Sequence, residues 1–187
     1  MLENETSTQP FDIETTRPAG FGIRLGAYLI DFLILLVPSV GGYFISSELG
    51  YLLFAIPMVC YKPVLDGMLG GTAGKLALGI RVVNESGQNI GVVSGFVRSG
   101  VFILHAIPNI VIQLKMIGQA VPKLDPQAIS AFKDANNILY MTSYLILLVP
   151  LVSCLAVLTN ARKKGLHDMM ADSFVIHKQN LQQADEG

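Results

Sequence analysis

Four stretches of this chain stay apolar for the length of a membrane crossing, and polar segments separate them. A spanning helix needs ~20 mostly apolar residues. Residues 138–158, ILYMTSYLILLVPLVSCLAVL, contain no Asp, Glu, Lys, Arg or His. Pro150 within them predicts a kink, which membrane helices tolerate. Residues 24–45 are apolar apart from Arg24 and Asp31. Residues 49–65 are interrupted by Pro57, Lys62 and Pro63, and residues 97–114 have Arg98 at one end and His105 within. The pattern predicts an all-α membrane protein: a four-helix transmembrane bundle over 18–178, between disordered tails at 1–17 and 179–187.

The polar segments predict smaller elements. In LDPQAISAFKDANN, 124–137, Asp125 suits a helix N-cap and Pro126 a first helical residue. Ile129 and Phe132 then share a face, so a short helix either lies on the membrane surface or packs on the spans. In the 70–99 segment, TAGKLAL reads as a short surface helix, with Lys75 snorkelling to lipid headgroups. IRVV reads as a strand, and NESGQNIG has turn chemistry. HDMMADSFVIHK repeats the shape, a helical turn before a strand-like run. IRVV and SFVI are expected to pair or pack as a small cytoplasmic β element.

Composition agrees: 51% of residues are hydrophobic and 14% charged, against ~25% charged in soluble domains. Mean hydropathy is +0.51. With a net charge of −1 and RKK (162–164) as the one basic cluster, nothing tracks a phosphate backbone, so nucleic acid is not an expected partner. Cys60 and Cys154 sit in apolar runs without metal-ligand spacing and read as small buried hydrophobes. The first 20 residues carry Glu3, Glu5, Asp12 and Glu14 without a basic n-region, which reads as a cytoplasmic tail rather than a cleavable leader. Arg17, Arg24, Lys75, Arg81, Arg98, Arg162, Lys163, Lys164 and Lys178 flank the spans on one side, against Lys115, Lys123 and Lys133 on the other. That bias predicts both termini in the cytoplasm; Lys62 snorkels toward the same side.

Few residues offer chemistry. GGTAGKLAL fails as a phosphate loop, because Leu69 and Leu76 stand where Gly and Ser or Thr are needed. His105, with Asn109 four residues on, is polar at mid-span, yet one hydrogen bond between helices satisfies a neutral imidazole. His167, Asp168 and Asp172 lie beside RKK. The two carboxylates would share a helical face, and salt bridging there is favoured over metal binding. No nucleophile–base pair, metal cluster or cofactor motif survives the spacing tests, so no enzyme and no cofactor is expected.

The pair in RLGAYLID, 24–31, remains. A lone carboxylate in hydrocarbon is costly, so Asp31 needs a partner, water or a proton. Arg24 and Asp31 share a helix face but lie ~10 Å apart along the axis, and Arg24 leans away. Each therefore needs a partner from elsewhere. For Arg24 the candidates are Asp66 and Asp168; for Asp31 they are Lys62, Arg98, the Tyr61 hydroxyl or a proton. Ala27, small and on the same face, admits another helix.

RLGAYLID resembles the signature of the RDD family of small membrane proteins, named for one arginine and two aspartates. GGTAGKLALGIRVVNESGQ is similar to the family's G-x-T-x-GK…G-x-RVV…G segment, VRS to its later arginine, and RKKGLHDMMADSFVI to its basic, His-Asp, strand-like ending. The order of these pieces covers about residues 18–178. The resemblance implies Arg24 as the family arginine, Asp31 as its first aspartate and Asp168 as its second. Asp172 departs, standing where the family often has Gly; so does the Ser-Phe that follows, where Thr is common; and the 115–137 segment is an elaboration.

The resemblance implies a multi-span protein of the bacterial inner membrane, for which transport of an unidentified ligand, cation/proton exchange in one version, has been proposed. Two readings follow. In one, an oligomer transports, and Asp31 binds a small cation or a proton while Arg24 and Asp168 brace its cytoplasmic end. In the other, the protein is a non-transporting accessory or scaffold with another membrane protein as partner, and Arg24, Asp31 and Asp168 are structural charge clamps. Asp66, Arg98, His105 and His167 are the further candidate polar residues.

Overall fold

The computed structural model describes residues 16, 18–159 and 163–179, without the side chains of 150, 151, 153, 154 and 156. The expected tails (Thr16 and Gln179 apart), Arg17, Arg162 and the side chains of Pro150 and Cys154 lie outside the described residues.

The long helices are α1 (Phe21–Tyr43), α2 (Glu48–Met68), α4 (Gly91–Gly118) and α6 (Asn137–Thr159). The first three are long and apolar enough to cross a membrane. Their outward positions are apolar, as in Phe32, Leu33 and Val37 of α1, which a hydrocarbon solvent accepts and water would not. Proline sits inside each of these three, at Pro38, Pro57, Pro63 and Pro108. The short elements are α3 (Ala73–Ala77), β1 (Ile80–Val83), α5 (Pro126–Ala135), α7 (Leu166–Met170) and β2 (Phe174–His177).

The expected strands pair. β1 and β2 run antiparallel, with Ile80 opposite His177 and Val83 opposite Phe174. An isolated two-stranded sheet is marginal in water, and this one is held by packing. Ile80, Val82 and Val175 bury one face with Ala19 and Ala27 at the start of α1, while Val83, Phe174 and Ile176 cluster on the other. The chain entering α1 bridges the sheet at Pro18 and Ile176, and Ala19 N–H donates to the Val175 carbonyl at 2.7 Å. The segment before α1 and the segment after α6 therefore meet at the end of the molecule that holds the α2–α4 connection. In that connection Gly79, just past α3, takes φ +66°, where a Cβ is disfavoured. The Asn84 side chain accepts from the Ser86 and Gln88 amides to close the NESG turn.

At the opposite end, Asp125 caps α5 through the Gln127 and Ala128 amides. Phe132 buries with Ile112 and Met116 of α4, so α5 packs on the long helices.

Three expectations need correction. Lys75 does not snorkel: it is 3% exposed and paired with Asp66. Arg98 is not at a span's end: α4 begins at Gly91, which carries Arg98 two turns inside, where carboxylates from α2 and α7 offset its burial. Asp168 and Asp172 share no helical face: α7 ends at Met170, and Asp172 has φ +40°, the region glycine prefers.

Candidate functional site

Two polar sites occupy the sheet end, and both begin on one face of α1. Arg24, Ala27 and Asp31 recur at helical spacing and are all buried.

Asp168 organises the first site. It is fully buried in α7, where its Oδ2 accepts from the Gly165 amide that starts the helix (3.0 Å). Arg24 of α1 donates to the same oxygen from Nη1 (2.5 Å), and Arg98 Nη2 of α4 lies 2.5 Å from Oδ1. Arg24 also donates to the Ala19 carbonyl (2.9 Å) and the Lys163 carbonyl (2.8 Å). One carboxylate thus ties α1, α4 and α7 together. Arg98 continues the network to Ser173 (3.2 Å) and, at 3.7 Å, to Asp66 near the end of α2.

Asp66 is also fully buried. Lys75 Nζ donates to both its oxygens (2.6 and 2.7 Å), and Lys62, one turn earlier on α2, reaches it at 3.0 Å. The Lys62 ammonium also lies near the rings of Tyr28 and Phe102, so it is paired rather than snorkelling. Four cations (Arg24, Lys62, Lys75, Arg98) share two carboxylates. With every group ionised the network would be positive, which burial opposes. Burial accordingly pushes the Lys75 ammonium well below the ordinary lysine value, although Asp66 works against it.

His167 stands 3.3 Å from Asp168. Burial pushes its imidazole down to about 3, against the opposing pull of Asp168. Burial acts to raise the Asp168 carboxyl, but Arg98, His167 and Arg24 outweigh it and hold that group below the usual carboxylate range. An unfolded chain protonates His at ~6.5 and Asp at ~3.9. Acid therefore favours the unfolded state twice. Stability is lost as pH falls from ~6.5 toward 3 through His167, and below ~3.9 through Asp168. The stability of the detergent-solubilised protein should fall between pH 6 and pH 4, by up to about 1.4 kcal/mol per pH unit, and its apparent Tm should fall with it. His167→Gln should flatten that limb. An unchanged limb would exclude His167 as its source.

Asp31 forms the second site; it has no ion-pair partner among the described residues, yet it is not a bare carboxylate. Its Oδ2 accepts from the Thr72 hydroxyl (2.5 Å), and its Oδ1 from the Gly74 amide (2.8 Å) and the Tyr61 hydroxyl (3.3 Å). Tyr61 in turn accepts from the Ala73 amide (3.1 Å). Asp31, on another helix, thus takes the place of a side-chain cap for α3, whose own N-cap residue, Thr72, makes no such bond to the α3 backbone. Of the expected side-chain partners the Tyr61 hydroxyl is present; Lys62 goes to Asp66, and Arg98 to Asp168 and, more distantly, Asp66.

The G-x-T-x-GK segment acquires a physical reading here. Thr72 and Gly74 receive Asp31, and Lys75 turns to Asp66. Gly74 must lack a side chain: a Cβ there would lie 2.2 Å from the Ala27 carbonyl and 3.0 Å from the Asp31 carboxylate. These partners went unassigned in the sequence, because Asp31 and Thr72 are 41 positions apart. The Thr72–Gly74–Lys75 spacing was the available signal.

His105 lies apart from both sites. Its Nδ1 is 3.1 Å from the Ser143 carbonyl, and Asn109 bonds the Ser143 hydroxyl (3.0 Å), which pins α4 to α6. That is the interhelical hydrogen bond expected of a neutral histidine. Asp172 pairs with Lys164 at the exposed edge (3.0 Å). Among the described residues no His, Cys, Asp and Glu group has the grouping of a metal site.

Comparison with known proteins gives a consistent picture. The model of the RDD family matches residues 18–172. The uncharacterized protein YxaI of Bacillus subtilis (strain 168) is 31% identical over a match covering 49% of this chain and 80% of its own. The uncharacterized protein YckC of the same organism is 34% identical over 44% of this chain, and there the match spans only 57% of the relative's length. No solved structure matches.

Proposed function

The chain belongs to the RDD family, and from that premise we propose that this integral membrane protein is a non-transporting accessory or scaffold, with Arg24, Asp31 and Asp168 as structural clamps. The observation that carries the reading is the environment of Asp31. Three donors engage its oxygens, two of them from the segment that α3 presents. A transport carboxylate must release those contacts to take up a cation, whereas a clamp keeps them. The Arg24–Asp168–Arg98 pinch supports the same reading, since each group is committed to another element.

The proposed topology is a four-span bundle in a bacterial inner membrane, with α6 as the fourth span and both termini cytoplasmic. Meeting of the two terminal segments at the sheet supports an even number of crossings. Arg81, Lys163, Lys164 and Lys178 support the cytoplasmic placement of that end; Arg24, Lys75 and Arg98 are engaged in buried ion pairs and carry less orienting weight.

The test is a flux measurement in proteoliposomes. Under an imposed pH gradient, Na⁺, Li⁺ or K⁺ flux should equal that of protein-free vesicles. Asp31→Asn should still yield folded protein, because Asn keeps one oxygen for Gly74 and its amide can donate to the Thr72 hydroxyl. Asp31→Leu should not. Protein-dependent flux abolished in a folded Asp31→Asn variant would overturn the proposal in favour of cation/proton exchange at Asp31.

A further inference from the structure

Among the cavities at the end of the molecule away from the sheet, two adjoin each other and are left unexplained by the clamps. One, of about 520 Å³, lies among α1, α2, α4 and α6 and is lined by Ser39, Phe54, Met58, Ala106, Ile110 and others. Its lining is mainly apolar, and two of its polar side chains are spent on the protein itself: Gln113 donates to the Tyr43 carbonyl and Asn109 to the Ser143 hydroxyl. The groove follows α4 from Ala106 to Met116, ~15 Å of helix. The other cavity, about 620 Å³, lies beyond it at the helix ends, lined by Phe44, Ser46, Met116, Lys123 and Asp125 among others. Met116 lines both, and Tyr43 and Phe44 stand side by side between them.

Lys123 gives the outer cavity its charge. Its ammonium donates to the Tyr43 carbonyl (2.5 Å) and the Ile45 carbonyl (2.7 Å), over the Tyr43 ring. An ammonium has three donors, so one remains. Asp125 shares the cavity, but its Oδ1 is occupied by the α5 amides, and it forms no ion pair with Lys123. A partly desolvated cation, with no carboxylate partner among the described residues, therefore stands at the mouth of an apolar groove ~15 Å long.

We infer that this end binds one anionic phospholipid, with its phosphate at Lys123 and an acyl chain in the groove between α1, α2 and α4. The charge and the groove demand both parts of such a molecule. A free phosphate would leave the groove empty. The inference is independent of whether the protein transports.

Native mass spectrometry of the detergent-solubilised protein, titrated with dioleoylphosphatidylglycerol, tests it. One lipid per chain should be retained more tightly than dioleoylphosphatidylcholine. Lys123→Gln should weaken retention about fivefold, the effect of one basic group near a lipid headgroup. Ala106→Leu, which narrows the groove without touching a charge, should weaken it as well. Lys133→Gln, on the exposed side of α5, should leave it unchanged. Thermal unfolding of each variant separates lost binding from lost folding, and Lys123→Arg should restore retention if Lys123→Gln unfolds. Equal retention of the two lipids, an equal loss in Lys133→Gln, or retention unaffected by both Lys123→Gln and Ala106→Leu would overturn the proposal. So would dimers that exclude lipid.

Discussion

Asp168→Ala should yield little or no folded, monodisperse protein. The carboxylate is fully buried and is the meeting point of Arg24, Arg98 and the first turn of α7. Its removal leaves two arginines buried against each other with no anion between them. Breaking a buried pair by deleting one partner costs about 3–5 kcal/mol; here Arg24 loses its carboxylate and Arg98 keeps only the longer 3.7 Å contact to Asp66. Size-exclusion chromatography and the apparent Tm provide the measurement. Asp168→Asn should be milder but still severe, since it keeps the shape and one acceptor while discarding the charge. A charge swap, Arg24→Asp with Asp168→Arg, should not rescue, because the new arginine would face Arg98. A wild-type Tm in Asp168→Ala would refute the clamp.

The second large effect is expected from a single methyl group. Gly74→Ala should detach α3 from α1, because the added Cβ meets the Ala27 backbone carbonyl at 2.2 Å, and a backbone atom cannot rotate aside. Overpacking typically costs about 1–3 kcal/mol. Relief by moving α3 would also lengthen the bonds from Thr72 and Gly74 to Asp31 and draw Lys75 from Asp66, so the loss should exceed that range. Gly79→Ala is the informative comparison. Its Cβ meets nothing within 4 Å, and it incurs only the φ +66° penalty. The measured order of destabilisation should be Gly74→Ala well above Gly79→Ala. The reverse order would show that backbone conformation, not the α1–α3 approach, is what this segment requires.

Much of the architecture was legible because it follows from periodicity. Apolar length marked the long helices, Asp125–Pro126 marked the start of α5, and β-branched runs marked the two strands. The register of those strands was not readable, since Ile80 and His177 are 97 positions apart and the sheet is held by packing against the start of α1. Part of the site was legible too. The seven-residue spacing placed Arg24 and Asp31 on one face and barred them from each other, and Asp168 was a named candidate for Arg24. The Lys62–Asp66 pair is readable from i, i+4 spacing. Nothing local shows that Lys75 turns inward, because snorkelling and burial require the same side chain and differ only in where Asp66 lies.

By itself the sequence determined that this chain is built from apolar helices with a few charges that need partners. That follows from solvation: hydrocarbon accepts leucine and rejects a bare aspartate wherever the rest of the fold lies. Only the tertiary structure decided which partners those charges have. Ion pairing and hydrogen bonding depend on ångström distances between segments far apart in the chain, and several assignments are equivalent until the backbones meet. RLGAYLID posed the demand. Asp168 answers Arg24, and the first turn of α3 answers Asp31.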